Sequence, residues 1–158
     1  MGQTAFTALV LAGPLLGVWL LSRPETARRL LRVTAAAILL LTLFPTTYRT
    51  VETRCLVDGG LAHLVAPEPL ANVVLFVPLV LLAAIRTKRP LAMFLAGSAL
   101  SALIETVQAL VPVLGRSCTT GDWLANTAGA LTGAVLAAVA LWIHRARSKR
   151  RLPEESTL

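Results

Sequence analysis

Glu105 is the one charged residue in an otherwise apolar stretch from Pro90 to Gly115. An ionisable group at mid-helix in a bilayer costs about 2.5–3.5 kcal/mol on insertion scales, so it calls for a partner or a function. Its polar neighbours share its face. Ser98, Ser101, Glu105 and Gln108 step by three, four and three. At ~100° per residue they fall within an arc of roughly 80°, a stripe that must face protein or water rather than lipid. The next apolar stretch repeats the pattern, with Asp122, Asn126, Gly129 and Gly133 inside an arc of roughly 60°. Asp122 also suits a helix N-cap, whereas Asn126, one turn deeper, has no such role. Gly129 and Gly133 form a G-x-x-x-G pair that lets a second backbone approach closely, and they read as helix packing. Asn72 opens a third apolar stretch, ahead of Phe76 and of Pro78, which removes a backbone hydrogen bond. Arg116 stands in the short connection between the Glu105 and Asn126 stretches. Two carboxylates, three carboxamides and an arginine at one depth are the parts of a polar pocket. Arg116 is expected to pair with Glu105 or Asp122, since pairing lowers the desolvation cost of each, or to grip a phosphate or carboxylate of a ligand. A hydrogen-bonded knot joining three helices is the structural alternative.

The elements that position these residues follow from composition. Of 158 residues, 56% are hydrophobic and 15% charged, against about 25% charged in soluble domains. Disorder is excluded by the hydrophobicity, and a small disulfide scaffold by a count of two cysteines. The class is all-α, a polytopic membrane helix bundle. Five spans are expected: Gly2–Ser22, Val33–Tyr48 with residues 27–31 able to extend it, Pro69–Ile85, Pro90–Gly115 and Trp123–Ile143. The second and third are short for the roughly 20 residues that cross a hydrocarbon core. Four spans with one re-entrant segment is the fallback. The first stretch lacks a basic n-region and reads as a retained helix, not a signal peptide.

The net charge of +7 does not point to nucleic acid, because the bases sit in clusters between apolar stretches. Twelve of the fifteen Lys and Arg lie in residues 23–32, 86–89 and 145–151. With five spans these segments share one side, which the positive-inside rule makes cytoplasmic. The N-terminus is then outside and the C-terminus inside. Trp123 and Trp142, at the two ends of the fifth span, suit an aromatic belt. The chain divides into one transmembrane domain, residues 1–144, and a basic, disordered cytoplasmic tail, residues 145–158. Two outside loops, about residues 49–68 and 113–122, each hold one cysteine, Cys55 and Cys118. A disulfide between the loops and two separate thiols both fit the sequence.

In order along the chain, four motifs resemble the VanZ-like family. They are N-V-V-L-F-V-P-L from Asn72, E-T-V-Q from Glu105, R-S at Arg116 and Ser117, and D-W-L-A-N-T-A-G-A-L-T-G from Asp122. The resemblance covers about residues 30–143. It implies a bacterial inner-membrane protein of the type named for lowered susceptibility to teicoplanin, with no established mechanism. The chain departs from the family pattern at Val80, where glycine is frequent nearby, and at Thr120, where many members carry an acid. The second departure argues against a two-acid metal site.

Three functions follow from these residues. In the first, Asn72, Glu105, Gln108, Arg116, Asp122 and Asn126 line an outward pocket. It binds an amphiphile, such as a lipid-linked cell-wall precursor or a lipoglycopeptide, or a partner protein in the bilayer. In the second, Glu105 and Asp122 act as an acid–base pair in a membrane enzyme. The catalytic inventory is thin: His63 and His144 belong to opposite sides, no histidine accompanies Cys118, and no hydrolase or P-loop motif is present. In the third, Glu105 serves proton-linked transport, but no inverted repeat is visible. The first is preferred, with no catalytic residue, metal or cofactor, and with the lipid bilayer as the constant partner. The sequence leaves the oligomeric state open.

Overall fold

Proline begins three of the five long helices, because its fixed φ suits the first turn and its missing N–H is not needed there. The computed structural model describes residues 2–45, 55–57 and 67–151. Its helices are α1 (Gly2–Leu21), α2 (Pro24–Leu43), α3 (Pro67–Thr87), α4 (Pro90–Leu110) and α5 (Thr120–Arg151). A 3-10 turn, Pro112–Leu114, follows α4, and Gly115 takes a left-handed conformation (φ 61°) at its end. Among the described residues the one departure from helix and loop is an isolated parallel bridge between Leu56 and Thr119. Most of the loop expected at residues 49–68, with His63, Arg49 and Arg54, lies outside the described residues, as do residues 152–158.

Four of the helices, all but α2, are long and apolar enough to cross a membrane by length and composition. The second helix differs most from its expected bounds. It begins at Pro24 rather than Val33, one tight turn after α1, and ends at Leu43. Hydropathy hides its first half because Glu25, Arg28, Arg29 and Arg32 lie there. Even so, α2 runs the length of the bundle. Its start shares a crevice with Ile85, Arg86 and Lys88 at the end of α3. Its last turn meets Gln108 and Arg116 at the opposite end. Twenty residues rise about 30 Å, which matches a hydrocarbon core. At the other extreme, α5 continues past His144 through the basic residues to Arg151.

α3 is the central element and packs most extensively against α5. Phe76, Val77, Ala84, Ala125, Ala130, Ala137 and Ala140 are fully buried between them and their neighbours. The contact is close because α5 presents glycine where α3 presents backbone. A Cβ at Gly129 would collide with the Val73 carbonyl, and one at Gly133 would lie 2.5 Å from the Val77 oxygen. α1 covers α3 and α5, with Gly17 against Ala140. Leu11, Leu15, Leu40, Leu91, Leu103 and Leu110 point away from the protein. A soluble monomer does not carry so much exposed apolar surface; a bilayer is the solvent that suits it.

The bundle has two chemically distinct ends. The α1–α2 turn, the α3–α4 turn and the basic end of α5 gather at one, where Leu20 to Arg28 meet Ile85 to Lys88 and Ser22 meets His144 and Arg147. The ends of α2 and α4 and the starts of α3 and α5 gather at the other. There Cys55 and Cys118 form a disulfide with a Cα–Cα distance of 4.5 Å across 63 residues. Leu56 N–H donates to Cys118 O (2.9 Å) and Thr120 N–H to Leu56 O (3.0 Å), so the two loops are joined by backbone bonds as well.

Candidate functional site

Each residue of the α4 stripe has a hydrogen-bond partner on another element. Ser98 Oγ and Thr127 Oγ1 share a bond of 3.0 Å. One turn on, Asn126 Nδ2 donates to Ser101 Oγ at 2.9 Å. Glu105 Oε2 accepts the Thr119 N–H at 3.0 Å, and Gln108 Nε2 donates to the Thr42 carbonyl at 2.8 Å. Ser101, Glu105, Gln108 and Asn126 are all buried. The stripe therefore binds α4 to α5 along one edge and to α2 at its end.

The start of α5 is built by a capping motif. Thr119 Oγ1 accepts the Asp122 N–H at 3.0 Å, and Thr119 O accepts the first helical bond, from Trp123 N–H. Thr119, not Asp122, is thus the N-cap, and the Thr-x-x-Asp spacing is the signal for it. Relieved of that role, the Asp122 carboxylate accepts Asn72 Nδ2 at 2.6 Å, which ties the start of α3 to the start of α5.

Arg116 departs from expectation. Its guanidinium turns to the end of α2, where Nη2 donates to Leu41 O at 2.7 Å and Nε to Phe44 O at 3.2 Å. The last carbonyls of a helix have no intrahelical donor, and a forked cation satisfies two of them while complementing the helix dipole. Arg116 thus holds α2 rather than pairing with Glu105 or Asp122. Arg116→Lys replaces the fork with a point donor. We expect amide exchange in the last turn of α2 to quicken about tenfold, a loss of about 1.4 kcal/mol in local stability. Unchanged protection of residues 40–44 would show that the two bonds contribute nothing.

Asn72, Glu105, Gln108, Arg116, Asp122 and Asn126 line one cavity of about 260 Å³, completed by Leu41, Thr42, Ala71 and Leu75. It lies at the disulfide end of the bundle, between α2, α3, α4 and α5. Leu41 and Thr42 were not anticipated, because α2 offers the site backbone carbonyls, and every residue has one of those. Thr119 and Thr127 were legible only as a cap and as a polar position one residue from Asn126. His144 lines a separate crevice at the basic end, with Trp19 and Arg147. Cys118 is consumed in the disulfide. Gly129 and Gly133 stand below the cavity, at the α3–α5 contact.

The VanZ/LLP1 family model matches residues 7–142, which adds α1 to the region carrying the motifs. No curated protein and no solved structure matches the chain. Because the match reaches into all five helices and takes in every residue named as lining the cavity, the chain belongs to the VanZ/LLP1 family.

Proposed function

We propose that this chain is a binding protein of the bacterial cytoplasmic membrane whose polar cavity opens outward and takes an amphiphile. The candidate ligands are a lipid-linked cell-wall precursor and a lipoglycopeptide such as teicoplanin. Holding either at the outer leaflet would lower glycopeptide susceptibility. The observation that carries the reading is the meeting of six polar side chains from three helices and a loop on one cavity of about 260 Å³. Intramembrane ionisable groups are expensive and mark functional sites.

The proposed topology has five spans, with the N-terminus outside and the C-terminus inside. The base-rich turns and the basic end of α5 share one end of the bundle, the side that the positive-inside rule assigns to the cytoplasm. The disulfide lies at the other end, and disulfides persist in oxidising compartments. α2 completes the count as a span whose early arginines reach back to the interface. Residues 1–144 form the membrane domain, and the remainder is a cytoplasmic extension. Both carboxylates accept hydrogen bonds from neighbouring elements, which suits the wall of a binding site.

Glu105→Gln and Asn126→Ala test the reading. At membrane levels equal to the parent, each is expected to weaken binding of a labelled lipoglycopeptide or lipid-linked precursor at least tenfold, about 1.4 kcal/mol. Any shift in teicoplanin susceptibility that the parent confers should shrink in step. If both variants match the parent in both measurements, the cavity is not the functional site.

A further inference from the structure

We infer that the crevice at the basic end of the bundle binds the phosphodiester head group of an anionic phospholipid. This site is separate from the cavity at the disulfide end and goes beyond the function proposed for it. The crevice, about 180 Å³, has an apolar floor of Leu20, Ala27 and Ile85, all buried, and a basic rim of Arg28, Arg86 and Lys88, all exposed. Arg28 comes from the start of α2, and the other two from the end of α3 and the turn after it. Residues 23–32 and 86–89 together hold seven bases and one acid, Glu25. Glu25 pairs with Arg28 at 3.3 Å, but both side chains are exposed, and such bridges are weak. Among the described residues, Arg86 and Lys88 have no ion-pair or side-chain hydrogen-bond partner.

Lys88 gives the rim a functional reading. It follows the last residue of α3 with φ 57°, and among the described residues it is the one non-glycine residue at positive φ. Glycine commonly fills that position, because a Cβ is penalised there. A lysine kept against that preference indicates that its side chain has a use, as strained residues at ligand sites do. The depth suits a lipid. Trp19, one residue before Leu20, is 45% exposed, with the Arg23 guanidinium 4.6 Å from its ring centre. Tryptophan so placed rests at the membrane–water interface. Two forked guanidinium groups and an ammonium match a phosphodiester, and basic pockets between transmembrane helices on the cytoplasmic side take anionic head groups. Acyl chains find apolar surface within about two turns, at Leu16 on α1 and at Leu30 and Val33 on α2. A free phosphate ester would use the rim and leave the floor bare.

The test titrates three probes by calorimetry into the full chain in neutral maltoside detergent. Salt is held at about 0.15 M, where the Debye length is about 8 Å and diffuse attraction is screened. Dioctanoyl phosphatidylglycerol is the anionic lipid, dioctanoyl phosphatidylcholine carries the same phosphate beside its own cation, and glycerol phosphate has no tail. The first is expected to bind at least tenfold tighter than either of the others. Arg86→Gln with Lys88→Gln should weaken its binding at least tenfold. Arg145→Gln with Lys149→Gln removes the same charge from another hollow at this end, beside Trp142, and should stay within twofold of the parent. Lys88→Gly suits the left-handed backbone, so it should hold or raise the unfolding midpoint while binding the lipid more weakly. Equal binding of the two lipids, or equal loss in the two double variants, overturns the inference. Glycerol phosphate binding as tightly as the lipid overturns it too, because the ligand would then be a free phosphate ester.

Discussion

Gly129→Leu is expected to prevent the bundle from forming, and Gly129→Ala to cost at least the upper end of the 1–3 kcal/mol typical of overpacking. The obstacle is backbone: the first carbon of any side chain at this position meets the Val73 carbonyl. A main-chain carbonyl in a helix cannot rotate aside, so α3 and α5 must move apart along their whole contact. Without a hydrophobic force between helices in lipid, close van der Waals packing drives their association, so separation removes the stabilising term itself. Gly13→Ala is the control. There the new Cβ would meet the Cδ1 of Leu136 at 2.9 Å, the far end of a flexible side chain. The helix-propensity gain of about 1 kcal/mol for Gly→Ala offsets much of that crowding. Thermal unfolding in detergent should therefore separate the variants clearly, with Gly13→Ala near the parent and Gly129→Ala far below it. Equal midpoints would mean that α3 and α5 are not in backbone contact.

Removing the disulfide with Cys55→Ser and Cys118→Ser together is expected to cost about 2–4 kcal/mol, the usual range for a bridge closing a long loop. The bridge spans 63 residues and joins the loop before α3 to the loop before α5. Its effect extends to the cavity through a short chain of bonds. Cys118 precedes Thr119, whose N–H binds Glu105, whose hydroxyl caps α5 and whose backbone pairs with Leu56. Loosening residues 55–57 therefore loosens the segment that orients Glu105 and starts α5. At about 2–4 °C per kcal/mol for a chain of this size, the midpoint should fall by roughly 5–15 °C. Exchange at the Thr119 amide should rise more than exchange in the middle of α3. A uniform rise would mean that the bridge stabilises the bundle without acting specifically on the cavity.

Much of the architecture was legible residue by residue. The stripes Ser98–Ser101–Glu105–Gln108 and Asp122–Asn126–Gly129–Gly133 follow from helical periodicity and from the cost of turning polar groups to lipid. Both properties belong to a single helix. The close glycine contact is equally local, since G-x-x-x-G permits backbone approach whatever the partner. The early start of α2 was less legible, because hydropathy averages its arginines against its leucines, whereas Pro24 at the first helical position is a one-residue signal.

Residue type and spacing are enough to show that the chain is built of apolar helices, which faces of α4 and α5 are polar, and where the bases cluster, because each is a property of one stretch of chain. Who partners whom emerges only when the helices are packed. Arg116 takes carbonyls of α2 in place of a carboxylate, Gln108 reaches Thr42, Asn72 holds Asp122, and the Asn126 Oδ1 is left over. Those choices join residues 50 to 75 positions apart, or turn on backbone carbonyls that every residue carries. No pattern along one helix encodes the distance to another.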